Sequence, residues 1–295
     1  MALISLFNEA IPFIKMHGIG NDYIYFDFTE FSFDKSIINP SSLQELCNRR
    51  YGIGSDGLVV ISKSDKADIK MNMWNADGSY SKMCGNALRC IGYYWYKKTS
   101  KKEFFIESET GVHLTKIIDD KDIVGIVKVQ MGKPIFEKEK IPYKGNIKSN
   151  LLYEFYDASI LPYKGFVVSM GNPHCIFIMD DVENIEIEKI GPKIENHSLF
   201  PERTNVEFIK ILQDGSIYQR TWERGSGETL ACGSGACAVH IVGVLEKNLP
   251  KKNIIHLKGG DLEIEWNEEI WMTGSTSIIY KGFLTKQIYQ KIFNF

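Results

Sequence analysis

Two short stretches hold the residue types best suited to chemistry. One is Met83-Cys84-Gly85-Asn86-Ala87-Leu88-Arg89-Cys90 and the other is Ala231-Cys232-Gly233-Ser234-Gly235-Ala236-Cys237-Ala238. In each, a cysteine precedes a glycine, a small polar residue and a helix-tolerant run. Cys84 and Cys232 lie 148 residues apart in a chain of 295. That spacing is half the chain, and it reads as a duplicated half-domain in which each half brings one thiol to a shared cleft.

A cysteine at a helix start lies near unpaired amides and the positive end of the helix dipole, which are expected to lower its pKa. The following glycine lets the backbone approach a ligand, and the unpaired N–H groups favour an anion such as a carboxylate. Two such thiols suit one task. A thiolate takes a proton from carbon and a thiol returns one to the opposite face, so a stereocentre is inverted without a cofactor. The weakly acidic proton demands a desolvated base and stabilisation of the charge that develops.

Cys47, Cys90, Cys175 and Cys237 read instead as small core residues. The six cysteines form no C-x-x-C pair and lack ligand-rich neighbours, so a zinc site is not expected. A long, cysteine-sparse chain points to reduced thiols. Oxidation of Cys84 and Cys232 to a disulfide would abolish acid–base work.

The elements that must position these thiols can be read along the chain. Glycines in Met16-His17-Gly18-Ile19-Gly20-Asn21-Asp22 mark a close turn before an aromatic strand, Tyr23 to Phe28. Ser41 or Ser42 caps a helix to about Arg50, with Leu43, Leu46 and Cys47 inward. Strands follow at Leu58 to Ser62 and Asp68 to Asn75. The first cysteine stretch then opens a helix to about Tyr96, and Glu103 to Gln130 reads as a β-meander. Met131-Gly132-Lys133-Pro134 looks like a junction. The second half repeats this theme. Strands Phe166 to Met170 and Cys175 to Met179 flank Gly171-Asn172-Pro173-His174. A helix from Ile185 to Glu195 comes next, then strands Thr204 to Ile211 and Ser216 to Glu223. A small-residue helix from about Ser234 to Lys247 follows. Strands Ile254 to Lys258, Asp261 to Trp266, Glu269 to Thr273 and Ser277 to Phe283 close the chain, the last returning to the first half. The expected class is α+β, with two pseudo-symmetric halves: residues 1–130 with 276–295, and residues 131–275.

Composition excludes some functions. The formal charge of −2 argues against a nucleic-acid-binding surface. No apolar run is long enough to span a bilayer, and Met1 to Phe13 is too weak for a signal or transit segment. That stretch reads as a short extra helix or tail, and the protein as cytoplasmic.

The ordered blocks resemble the diaminopimelate epimerase family over Ile14 to Phe283. They are Met16 to Asp22, Asn75-Ala76-Asp77-Gly78-Ser79, Met83 to Asn86, Gly171 to His174, Arg203-Thr204-Asn205-Val206 and Glu223-Arg224-Gly225-Ser226-Gly227-Glu228-Thr229. The last runs into Ala231-Cys232-Gly233-Ser234-Gly235. The resemblance implies two halves, each a curled antiparallel sheet around a central helix, with the active site between them. It implies no pyridoxal phosphate and no metal. It implies interconversion of LL- and meso-diaminopimelate for lysine and, in bacteria, peptidoglycan synthesis.

By the same resemblance, Cys84 and Cys232 are base and acid, exchanging roles with direction. Asn21, Asn75, Asn172 and Asn205 are substrate ligands, offering both donors and acceptors. Gly85-Asn86 and Gly233-Ser234 cradle the reacting carboxylate. Glu223 and Arg224 fix the amino group and the distal carboxylate. His174 and Glu223 tune the thiols and hold the α-ammonium. Tyr280 lies near a homodimer contact. The chain departs from the pattern at Gly57, where many members carry a substrate-contacting Gln, and in its extension before Lys15. Two other readings stay open from sequence. One is a paired-cysteine racemase of proline-like substrates, against which the Asn-rich lining and Arg224 argue. The other is an inactive amino-acid-binding or redox-sensing protein of the same fold.

Overall fold

The computed structural model describes residues 10–30, 33–145 and 151–293. The chain divides into two compact units, Met1–Val129 with Ser275–Phe295, and Gln130–Gly274.

The first unit begins with a hairpin. β1 (Ala10–Gly18) and β2 (Asn21–Phe28) pair antiparallel with Gly18 opposite Asn21. The two linking residues, Ile19 and Gly20, both have positive φ, 45° and 86°. Such two-residue turns match the right-handed twist of strands. Positive φ is costly for a β-branched residue, so buried Ile19 is held there by its packing. The turn delivers Asn21 at the strand's first position.

After β2 come α1 (Pro40–Cys47), β3 (Gly57–Ser62), β4 (Ile69–Asn75), β5 (Tyr80–Ser81) and α2 (Gly85–Thr99). Then follow β6 (Glu103–Ser108), β7 (Gly111–Lys121) and β8 (Val124–Gly132). In the second unit the order is β9 (Tyr153–Phe155), β10 (Gly165–Ser169), β11 (Pro173–Ile178) and α3 (Ile187–Glu195). It continues through β12 (Asn205–Ile211), β13 (Ile217–Glu223), β14 (Gly227–Thr229), α4 (Gly233–Lys247), β15 (Lys252–Leu257) and β16 (Gly260–Trp266). β17 (Ile270–Thr285) and α5 (Lys286–Ile292) end the chain.

Strand pairing exposes the duplication. In the first unit the order is β17, β1, β2, β3, β4, β6, β7, β8, with parallel pairs only at β2–β3 and β4–β6. In the second it is β9, β10, β11, β12, β13, β15, β16, β17, with parallel pairs only at β11–β12 and β13–β15. A short extra strand, β5 or β14, adds to the fifth strand of each. The helices α1 and α3 occupy equivalent places in the two orders, as do α2 and α4.

Each unit wraps its sheet about one helix. α2 packs on β1 and on β7, which are far apart in the sheet order, so the sheet must curl. α4 packs on β10, β11, β12, β15 and β16. Both helices have 15 residues and end at a left-handed residue, Ser100 or Asn248. Every α4 residue from Gly233 to Gly243 except Ser234 is buried, as expected of a helix surrounded by sheet.

Several local expectations are corrected. Ala10 to Phe13 belongs to β1, so that part of the N-terminal segment is strand; residues 1–9 lie outside the described residues. Asn39, not Ser41 or Ser42, caps α1, its side chain accepting from both of their amides, and the helix stops at Cys47. Ile270 to Thr273 and Ser277 to Phe283, expected as separate strands, are parts of one 16-residue strand, β17, which starts one residue after Glu269. Its first part pairs with β16 and its later part with β1. α5 had not been foreseen. It places Tyr289, Ile292 and Phe293 in an apolar cluster with Phe26, Phe28, Leu43 and Trp74.

Candidate active site

Cys84 is the N-cap of α2, with extended backbone (φ −142°, ψ 120°). Its thiol lies 3.6 Å from Asn21 Oδ1, to which it donates, and 3.9 Å from the Tyr23 hydroxyl. Asn86 Nδ2 donates to the same Asn21 oxygen at 3.2 Å, and Arg89 donates to Asn86 Oδ1 at 2.8 Å. Asn21 is oriented from its other end, because its Nδ2 donates to Asp56 Oδ2 at 2.9 Å. Arg49 bridges Asp56 and Asp22 at 2.8 and 2.6 Å, and Lys15 reaches Asp22. Burial acts to raise the Asp22 carboxyl pKa; Arg49 and Lys15 outweigh it and hold the group below its ordinary value. The charged cluster thus fixes the amide that faces the thiol.

Asn75 stands apart from this group. Its Nδ2 donates to Ser79 Oγ at 3.0 Å within the turn leading to β5. Gly57 is closed to larger residues on this backbone: a Cβ there would lie 2.1 Å from the Trp74 carbonyl oxygen. A Gln, which the resemblance implies for this position, has no space here.

Cys232 is the N-cap of α4, and its sulfur accepts from Gly235 N at 3.4 Å. Ser234 Oγ lies 3.6 Å from the sulfur and accepts from Asn172 Nδ2 at 3.3 Å. Asn172 Oδ1 is 3.1 Å from His174 Nε2, and His174 Nδ1 donates to Glu207 Oε1 at 2.8 Å. His174 lies inside β11, where the sequence had suggested a turn, and is fully buried, as is Glu207. Asn205 Nδ2 donates to Pro173 O, and its Oδ1 accepts from Arg224 N, both at 3.0 Å. This amide pins the β11 turn to the segment after β13. Glu223 accepts from Thr229 at 2.6 Å, and the Arg224 guanidinium donates to Glu202 O at 3.0 Å.

The expected lowering of the thiol pKa by a helix start is reversed at Cys232. Burial pushes this thiol well above its ordinary value, and Glu223 and Glu207 push it further. Ser234 and the Gly235 amide act the other way and are outweighed. A sulfur only 5% exposed, with two carboxylates near it, gains less from the helix end than ionisation would cost.

The four other cysteines are buried thiols. Burial raises the pKa of Cys47, Cys90 and Cys175, as suits inert core thiols. Tyr280 is 45% exposed and meets Phe13 edge-on. Sequence reasoning missed Tyr23, Asp56, Arg89 and Glu207. One signal existed for Glu207: a carboxylate between Val206 and Phe208 within an apolar strand.

The overall fold is shared by solved structures of other proteins. A hydroxyproline epimerase from Agrobacterium vitis matches with a TM-score of 0.68 at 11% identity, over 94% of this chain and 93% of that one. A PhzF-family phenazine biosynthesis protein from Bacillus anthracis matches with a TM-score of 0.63 at 15% identity, over 93% and 99%. Sequence narrows the class. The family model for diaminopimelate epimerase matches residues 13–137 and 166–279. Diaminopimelate epimerases from Methanococcus maripaludis and Acetivibrio thermocellus are 46% and 43% identical, each over 92% of this chain and 99% or 97% of theirs. The chain belongs to the diaminopimelate epimerase family.

Proposed function

We propose that Cys84 and Cys232 are the base and acid of a cofactor-independent epimerisation that interconverts LL- and meso-diaminopimelate. One observation carries this reading: in a chain of this family, both cysteines cap the central helix of their unit, each followed by glycine and a small polar residue. The thiolate of one takes the α-proton, and the S–H of the other protonates the opposite face of the same carbon. After turnover the two sulfurs have exchanged protonation states, so proton exchange must reset them. The N–H groups of each first turn favour the charge that builds on the α-carboxylate. Gly85, Asn86, Gly233 and Ser234 supply this cradle. Asn21, Asn75, Asn172 and Asn205 bind the polar groups of the substrate. Glu223 holds an ammonium group, and Arg224 the distal carboxylate.

The product serves lysine synthesis and, in bacteria, peptidoglycan precursors. Both thiols must stay reduced, which supports a cytoplasmic location; fractionation into an oxidising compartment would contradict it. A homodimer is supported by the apolar exposed side chains Ile279, Tyr280 and Phe283 on β17.

The test is incubation with LL-diaminopimelate in D₂O. The meso isomer should form with deuterium at the inverted α-carbon, and Cys84→Ala or Cys232→Ala should abolish its formation. Full activity in either variant would defeat the two-thiol mechanism.

A further inference from the structure

We propose that Glu207 is a positioning residue that holds the Cys232 arm in its proton-donating form, acting through His174 and against the first turn of α4. This deepens the two-thiol reading and rests on it.

A carboxylate in the middle of an apolar strand is costly to bury, so its contacts should explain it. Glu207 is fully buried on β12. One oxygen accepts from His174 Nδ1, and the other has no hydrogen-bond partner among the described residues. From this carboxylate a line of polar contacts runs through His174, Asn172 and Ser234 to the Cys232 sulfur, with steps of 2.8, 3.1, 3.3 and 3.6 Å. The Asn172 amide oxygen can only accept, so His174 Nε2 donates to it while Nδ1 faces the Glu207 carboxylate; this fixes the imidazole and which way the Asn172 and Ser234 dipoles point.

A second observation is independent of that line. Gly235, the third residue of α4, has no side chain where the helix meets Glu207. A Cβ there would lie 2.5 Å from Glu207 Oε1 and 3.2 Å from the Cys232 sulfur. The first turn of α4 therefore closes directly onto the carboxylate. The positive end of the helix, which would otherwise stabilise a thiolate, faces a negative charge already in place. Among the ionisable groups that act on Cys232 are Glu223 from the end of β13, Glu207 from β12 and, through Asn172, His174 from β11. The first two both oppose ionisation of the thiol. Cys232 thus rests as S–H, ready to donate. Glu207 acts through His174 and the first turn of α4 on the group that reacts.

The test reads the thiol itself. Alkylation of Cys232 by iodoacetamide, followed by peptide mass spectrometry across pH, gives the midpoint of its ionisation. In Glu207→Gln, which keeps the shape and an acceptor but removes the charge, that midpoint should fall by roughly one pH unit, the lower range for loss of one nearby like charge. Turnover should fall by up to ~10²-fold with KM nearly unchanged, the scale of a small misplacement of a reacting group. An unmoved midpoint in a folded Glu207→Gln protein overturns the proposal. If that variant does not fold, ¹⁵N-histidine spectra of the native protein decide. Nδ1 of His174 must carry a proton at neutral pH, and an unprotonated Nδ1 overturns the proposal. These readouts do not require turnover. An unmoved midpoint in an enzyme that loses activity on Cys232→Ala would reject the role of Glu207 alone. Retained activity in Cys232→Ala would reject the two-thiol reading.

Discussion

Replacing Gly235 with alanine sets two known effects against each other. Glycine within a helix is disfavoured by about 0.8–1.0 kcal/mol relative to alanine. On propensity alone, Gly235→Ala should stabilise the protein. The geometry predicts the reverse. The new Cβ would stand 2.5 Å from Glu207 Oε1, so the oxygen must retreat by at least 0.5 Å to reach even 3.0 Å. It cannot do so freely, because it accepts from His174 at 2.8 Å in a fully buried setting. Weakening a buried hydrogen bond to a charged group costs about 1.5–3 kcal/mol. After subtracting the helix gain, the net is a loss of roughly 1–2 kcal/mol, or a melting-point drop of ~2–5 °C for a chain of this size. The Cys232 sulfur, 3.2 Å from the same Cβ, must shift too. Activity should therefore fall further than stability, by ~10²-fold. Gly243 is the control in the same helix. There a Cβ meets only the ends of the Leu249 and Ile217 side chains, at 2.9 and 3.3 Å, which can swing away. Thermal melts and epimerisation rates of both variants are the assay. A Gly235→Ala protein that is more stable than the parent and fully active would refute the close approach of helix and carboxylate.

Two further outcomes follow from the geometry. His240 is fully buried, and burial lowers its pKa to about 4, with the Lys251 carbonyl opposing weakly. The unfolded chain then binds a proton that the folded chain refuses, so stability should fall with pH between about 6.5 and 4, by up to ~3 kcal/mol. Urea titrations across that window should show the slope and its loss in His240→Leu; an equal slope in the variant would assign it elsewhere. Phe283, 72% exposed on β17, is the centre of the proposed dimer face. Phe283→Lys should shift the sedimenting species from dimer to monomer, and a native protein that sediments as a monomer would exclude the dimer outright.

Much of the fold could be read from local pattern, and the failures share a cause. Aromatic and β-branched runs located β2, β3 and β4, and the cysteine stretches located the starts of α2 and α4, because these signals are short in range. Local pattern splits β17 into two strands, Glu269 to Thr273 and Ser277 to Phe283. Pairing with β16 on one stretch and with β1 on the next carries the strand through the residues between. α5 spans only seven residues, too few for its periodicity to stand out, and its stability comes from the Phe26 and Trp74 cluster to which it adds. Among the candidate site residues, cysteines and asparagines were legible by type and order. Glu207 carried one faint local sign, a carboxylate between Val206 and Phe208, which does not by itself tell a buried carboxylate from an exposed one. The high thiol pKa at Cys232 was missed for the same reason: dipole position is written in the sequence, whereas burial is written in the fold.

The duplication explains where the two thiols sit but not how they differ. Asn75 ends β4 nine residues before Cys84, and Glu223 ends β13 nine residues before Cys232. The same place in the repeat thus holds a neutral amide in one unit and a carboxylate in the other. Asn21 opens the second strand of its hairpin, and Asn172 sits just before the equivalent strand, so the amide is kept there in both. The neighbours diverge further along. Cys84 is met by Asn21 and Tyr23, with Asn86 beside them. Asp56 stands one step away, its charge shared with Arg49. Cys232 has Glu207 and Glu223 near it, and Glu207 is fully buried. A symmetric scaffold can place two sulfurs in equivalent positions, but a two-base reaction needs them in opposite protonation states at the start of each turnover. Glu223 and Glu207 act on Cys232 in one direction, opposing its ionisation, and they do so without changing a strand or a helix.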